Sequence, residues 1–111
     1  MQITIDDFKK VDIRVGTIIR TELFPTAKKS AIKIWIDFGP DIGEKKTSAQ
    51  ITNQYDYKTL TGGQIAAVVN FPPRQIGNFM SEVLLLGFPN INSDVILIRP
   101  DKPVPNGGKL Y

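Results

Sequence analysis

Between Ala31 and Phe38 the chain alternates without a break: Ile32, Ile34, Ile36 and Phe38 fall on one side, Lys33, Trp35 and Asp37 on the other. A period of two is the signature of a strand with one buried face. Gly39-Pro40 and Gly43 then mark a turn. The run before it, Val11 to Leu23, also alternates, with Ile13, Val15, Thr17 and Ile19 on one face and Arg14, Gly16, Ile18 and Arg20 on the other. Gly16 packs poorly within a strand but is a natural site for a sharp bend. Phe24-Pro25 ends the run, because proline cannot donate to a central ladder.

Later segments read in the same way. Lys45 to Ile51 forms a third strand, with Thr47, Ala49 and Ile51 inward and Lys46, Ser48 and Gln50 outward. Thr52 caps a short helix over about Asn53 to Leu60, which Gly62-Gly63 stops. Gln64 to Asn70 and Glu82 to Phe88 are apolar on both faces, and Asp94 to Arg99 nearly so. Thr4-Ile5-Asp6-Asp7 has the form of a capping box and predicts one helical turn before the first strand. Pro100, Pro103, Pro105 and Gly107-Gly108 make the tail from Pro100 to Tyr111 extended.

A long bent first strand with a short helix between strands 3 and 4 matches an all-β, five-stranded OB barrel. Another small barrel, such as an SH3-like fold, is the alternative. The expected inward residues are Ile13, Val15, Ile32, Ile34, Ile36, Val69, Val83, Leu85 and Leu97. With 111 residues and no internal repeat or linker, one domain over 1–111 is expected, its core from about residue 8.

The chain has no Cys and no His, which removes thiolate and imidazole zinc sites, Ser-His-Asp triads and thiol catalysis. The acids are scattered, and the adjacent pair Asp6-Asp7 sits where it favours a helix dipole. No phosphate-binding glycine loop occurs. A binding protein is expected rather than an enzyme, with no metal and no cofactor. Asp6 and Asp7 interrupt any signal-peptide core, and Val83-Leu84-Leu85-Leu86 is far too short to span a bilayer. The expected location is the cytoplasm, without membrane insertion.

Fourteen basic against eleven acidic residues leave a net charge of only +3, so an anionic partner must meet a local basic patch. Such a patch is visible. The loop after the first strand contains Lys28 and Lys29, with no acid between Leu23 and Ile36. Strand 2 offers Lys33 and Trp35 outward, and strand 3 offers Lys46, Ser48 and Gln50. Phe71 to Ser81, read as the loop between strands 4 and 5, contains Arg74, Asn78 and Phe79 and no acid. Cations for phosphates, amides and hydroxyls for base edges, and an aromatic ring for stacking are what unpaired RNA requires. Trp35 could instead sit in a subunit interface or cap the barrel. Ser48 and Asn70 could satisfy strand-end backbone groups.

Asp12-Ile13-Arg14-Val15-Gly16, Ser48-Ala49-Gln50-Ile51 and Val69-Asn70-Phe71-Pro72-Pro73-Arg74-Gln75-Ile76-Gly77, followed by Ser81-Glu82, resemble the tRNA-binding domain family. Pro100-Asp101-Lys102-Pro103-Val104-Pro105-Asn106-Gly107 resembles its branch of CsaA-type secretion chaperones. The resemblance implies an OB fold, a homodimer, tRNA or structured RNA as ligand, and unfolded or export-destined precursor proteins as clients. A synthetase-associated accessory subunit without chaperone activity is the alternative. The resemblance falls on Arg74 and adds Asn70 and Ser81 to the RNA-binding set of Lys28, Lys29, Lys33, Trp35, Lys46, Ser48, Gln50 and Arg74. Other members carry histidine where this chain has Phe24.

The apolar outer residues of strands 4 and 5 need a cover. Ile5, Phe8, Ala66, Val68, Leu84, Leu86, Val104 and Leu110 are therefore the expected dimer interface, with the N-terminal turn and the tail packing across a two-fold axis.

Overall fold

A computed structural model describes residues 1–25 and 30–111. The elements run α1 (Ile5–Lys9), β1 (Ile13–Leu23), β2 (Ile32–Asp37), β3 (Glu44–Ala49), a 3-10 turn (Tyr57–Thr59), β4 (Gln64–Val68), β5 (Arg74–Ile76), β6 (Phe79–Ser81), β7 (Leu84–Leu85), β8 (Gly87–Pro89) and β9 (Val95–Leu97). The capping box forms: Asp7 N–H donates to Thr4 Oγ1 at 3.1 Å, and Thr4 N–H to Asp7 Oδ2 at 3.0 Å.

Five antiparallel strands lie in the order β3-β2-β1-β4-β7. β1 serves two neighbours, pairing with β4 through Ile13–Thr17 and with β2 through Thr17–Leu23, with a register shift between Ile18 and Arg20. The residues just before β7 nearly close the sheet into a barrel against β3. Glu82 N–H donates to Lys46 O at 2.8 Å, and Lys46 N–H donates to Glu82 Oε1 at 3.0 Å. A carboxylate thus stands in for the strand carbonyl that would accept there. Thr47, 1% exposed, completes the seam through its hydroxyl on Val83 O at 2.8 Å. The result is an OB-like barrel.

Its core contains Ile32, Ile34, Ile36, Val83 and Leu97, with Val69 and Leu85 packed against it, as the alternation predicts. Ile13 and Val15 are corrections. The opposite face of β1 turns inward, with Gly16 and Ile18 buried. A Cβ on Gly16 would lie 2.5 Å from Ile36 Cγ2, 2.8 Å from Phe38 Cδ1 and 2.9 Å from Asp37 O. Only glycine lets the strand bend that closely over the core, so Ile13 and Val15 are left on the outside. Gly16→Ala should therefore cost about 1–3 kcal/mol through overpacking, read as a lower denaturation midpoint at unchanged m.

The edge of β1 that β2 leaves free before Thr17 is taken up by the chain's own tail. Gly107 N–H donates to Val15 O at 2.8 Å, Val15 N–H to Gly108 O at 3.1 Å, and Leu110 N–H to Ile13 O at 2.8 Å. The expectation that the tail crosses to a second subunit is corrected to this extent: its backbone pairs with its own β1. Gly107 has φ +90°, and a Cβ there would lie 2.5 Å from Phe38 O, so the tail can approach only through glycine.

The helix expected over Asn53 to Leu60 contracts to the single 3-10 turn. Asp56, not Thr52, is its cap, accepting from Lys58 N–H at 2.9 Å. Tyr55, Tyr57 and Leu60 all pack on the core, a spacing set by the barrel end rather than by a helical stripe. The strand expected over Glu82 to Phe88 divides into β7 and β8. Asp94, in the loop before β9, accepts from Asn53 and Gln54 at 2.9 Å each, which holds its carboxyl below the usual carboxylate range.

Candidate nucleic-acid interface

The alternation that buries Ile32, Ile34 and Ile36 puts Lys33 and Trp35 on the outer face of β2. Register sets Lys33 opposite Ser48 and Trp35 opposite Lys46 on β3, while Arg20 of β1 lies beside Trp35 on the other side. The β5–β6 hairpin folds against this face. Its Phe79 meets Trp35 edge-on, with centroids 5.8 Å apart, and Phe24 at 5.6 Å. Cations interleave with the rings: Arg20 Cζ is 3.8 Å from the Trp35 centroid, Lys33 Nζ 4.7 Å from Phe24, and Lys46 Nζ 4.9 Å from Phe79. The rings hold these side chains in place by cation–π attraction, roughly 0.5–1 kcal/mol each where exposed. Among the described residues, no carboxylate lies within ion-pair distance of Lys33, Lys46 or Arg74. Their charge is free for phosphate.

Where the hairpin meets β3 there is a cleft of about 280 Å³, and Ser48, Phe71, Arg74, Ser81, Glu82 and Leu84 are among its lining residues. Arg74 pairs directly with Ser81 across the hairpin. Ser81 Oγ lies 2.9 Å from Thr47 Oγ1 and accepts from Ser48 N–H at 3.4 Å, tying hairpin to barrel. Phe71 is half exposed on the wall.

The structure thus brings Lys33, Trp35, Lys46, Ser48, Arg74 and Ser81 to one side of the barrel. Trp35 is part of the packed cluster, one ring face under Arg20. Gln50 lies in a neighbouring groove that shares Ser48 with the cleft. Asn70 does not line the cleft; its amide accepts from Asp12 N–H at 3.0 Å and donates to Lys10 O at 2.8 Å, pinning the N-terminal segment to the end of β4. Lys28 and Lys29 lie outside the described residues.

Two contributors escape sequence reasoning, Arg20 and Glu82, and Phe79, expected in an open loop, is buried against Phe24 and Trp35. The stretch read as a loop is a hairpin with a two-residue turn, Gly77-Asn78, with Gly77 at φ +58°. A Gly-Asn pair between short strand-like runs is a recognisable hairpin signal.

The expected interface residues divide. Ala66, Val104 and Leu110 line an apolar groove of about 300 Å³ with Ile13 and Val15. Ile5 is 69% exposed and Phe8 half-buried, while Leu84 lines the cleft instead. Val68 is a correction: it is 3% exposed within one chain and so is not an open surface. Leu86 is half-buried, its N–H donating to Ala66 O at 3.0 Å.

Residues 13–109 match the family described as a putative tRNA binding domain. Chaperone CsaA of Bacillus anthracis is 45% identical, superposes at a TM-score of 0.91 and covers both chains in full. The CsaA chaperone of Picrophilus torridus is 50% identical at a TM-score of 0.91, over 99% of this chain and 100% of that one. Methionine–tRNA ligase of Methanothrix thermoacetophila is 37% identical over 106 residues, 95% of this chain; the chain spans only 15% of that relative's length. The family match covers the barrel, the hairpin and most of the tail, and the two chaperone structures agree with this chain end to end: the chain belongs to the tRNA-binding domain family, and within it to the CsaA type.

Proposed function

We propose that this chain binds tRNA or similarly structured RNA through the outer face of β2 and β3 and the β5–β6 hairpin, and that it also serves as a chaperone for unfolded or export-destined proteins. The observation that carries the RNA reading is the set of unneutralised cations, Lys33, Lys46 and Arg74, grouped on one side of a nearly neutral chain. The chaperone role rests on the likeness to CsaA chaperones. Binding, not catalysis, is the activity assigned, and the cytoplasm is the proposed location. Among the described residues, no helix is long and apolar enough to cross a membrane.

Titration with bulk tRNA and with an unfolded precursor, each at two salt concentrations, tests both roles. Affinity for tRNA should fall steeply with salt, whereas apolar client binding should barely respond. No saturable tRNA binding at low salt would end the RNA reading.

A homodimer is part of the proposal. The groove lined by Ala66, Val104 and Leu110 and the exposed Ile5 supply apolar surface that a second copy would cover. Sedimentation of the intact chain as a monomer would remove it. The second reading, an accessory subunit docked on a synthetase, is favoured by the methionine–tRNA ligases that match nearly all of this chain. It requires a stable hetero-complex.

A further inference from the structure

The cleft between hairpin and barrel contains one feature that phosphate binding does not use, the carboxylate of Glu82. Both its backbone and its side chain are fixed to Lys46, Oε1 accepting from the Lys46 N–H at 3.0 Å. Oε2 has no hydrogen bond and no ion pair among the described residues, although the residue is half-buried. An immobilised carboxylate oxygen repels phosphate and calls for a donor. In a single-stranded nucleic acid the strong donors are the amino and imino groups on the base edges.

Resting on the RNA reading above, we propose that this cleft takes one unpaired nucleobase and selects bases with an exocyclic amino group, adenine, cytosine or guanine, over uracil. Glu82 Oε2 accepts from the amino group, a charge-assisted bond of the kind carboxylates make to cytosine N4. Phe71, 53% exposed on the wall, offers a ring face for stacking. Arg74 lines the same cleft and meets the adjoining phosphate. Uracil fits the same space but turns carbonyl oxygens on both sides of its single imino group, so it meets Glu82 with repulsion. The volume, about 280 Å³, falls just below the usual range of ligand pockets, about 300–1,000 Å³. That suits one planar ring better than a folded peptide segment.

Fluorescence anisotropy with oligo(A), oligo(C) and oligo(U) of equal length, at one fixed salt concentration, tests the proposal. Oligo(A) and oligo(C) should bind at least about fivefold tighter than oligo(U), the lower end of what one good base-edge pair discriminates. In Glu82→Gln one oxygen still accepts from Lys46 N–H while the other position becomes a donor. The preference should then collapse or turn toward uracil, with the salt slope unchanged. Equal wild-type affinity for the three oligomers overturns the proposal whatever the variant does, and leaves general RNA binding standing. An unaltered preference in a Glu82→Gln protein of normal melting temperature also overturns it. So does a cationic peptide that displaces oligo(A) from the wild type but not from Glu82→Gln when no base preference exists; the cleft would then belong to a protein partner. Failure to bind any oligomer or tRNA would remove the RNA reading itself.

Discussion

Replacing Ile34 by alanine should lower the unfolding free energy by about 2–5 kcal/mol. Ile34 is 0% exposed, at the centre of β2, with Thr21 of β1 on one side and Thr47 of β3 on the other. Its side chain enters the core among Ile32, Ile36, Ile65 and the other buried aliphatic groups. Truncation removes three carbons from contact and leaves a void in the middle of the strand, where the flanking ladders on both edges prevent collapse. The cost is thus lost transfer energy plus a cavity term. Urea denaturation should show a lower midpoint at an unchanged slope, since the surface exposed on unfolding hardly alters. Lys58→Ala, on the exposed 3-10 turn, should stay within about 0.5 kcal/mol of the parent. A loss below about 1 kcal/mol for Ile34→Ala would mean that β2 does not carry the core.

The strand that makes this prediction possible was the most legible part of the sequence. In β2 one set of alternate residues is wholly apolar and the other contains Lys33 and Asp37, so only one orientation buries nothing charged. In β1 the same criterion points the wrong way: the face that contains Arg14 and Arg20 is the one that buries Gly16 and Ile18. Both of its faces contain isoleucine, and the deciding contact is the approach of Ile36 and Phe38, 20 and 22 positions away, to Gly16. The outer residues Ile13 and Val15 read as core because they are apolar and alternate, but they line a half-buried groove beside Val104, Gly108 and Leu110 of the tail, which is separated from β1 by nearly the whole chain.

The site divides along the same line. Lys33, Lys46 and Ser48 follow from strand alternation, and Arg74 and Ser81 from a motif. Arg20 lies on a strand whose bulge changes the face, and Phe79 acquires its role only when the hairpin folds over β2. Glu82 was invisible as a site residue, because its carboxylate acts as a surrogate backbone acceptor that only barrel closure creates.

The triple variant Lys33→Met, Lys46→Met, Arg74→Met should flatten the salt dependence of tRNA binding by about 2 units in log K against log salt, at about 0.7 per phosphate contact for unpaired strands. Methionine is chosen so that an apolar side chain still packs against Phe24 and Phe79 where the lysine stems lie, and only the charge is lost. If parent and variant converge at 1 M salt, two units of slope correspond to about 100-fold weaker binding at 0.1 M. Each single variant should lose about fivefold on the same scale. Binding of an unfolded client should change little, since its driving force is apolar burial, and this separates the two proposed roles on one protein. A full-strength slope in a variant of unchanged melting temperature would move the phosphate contacts off this face. Lys28 and Lys29 would then be the next residues to replace. A slope reduced by two units but with client binding lost in parallel would instead mean that both partners share the cationic face, and competition between tRNA and client would follow from it.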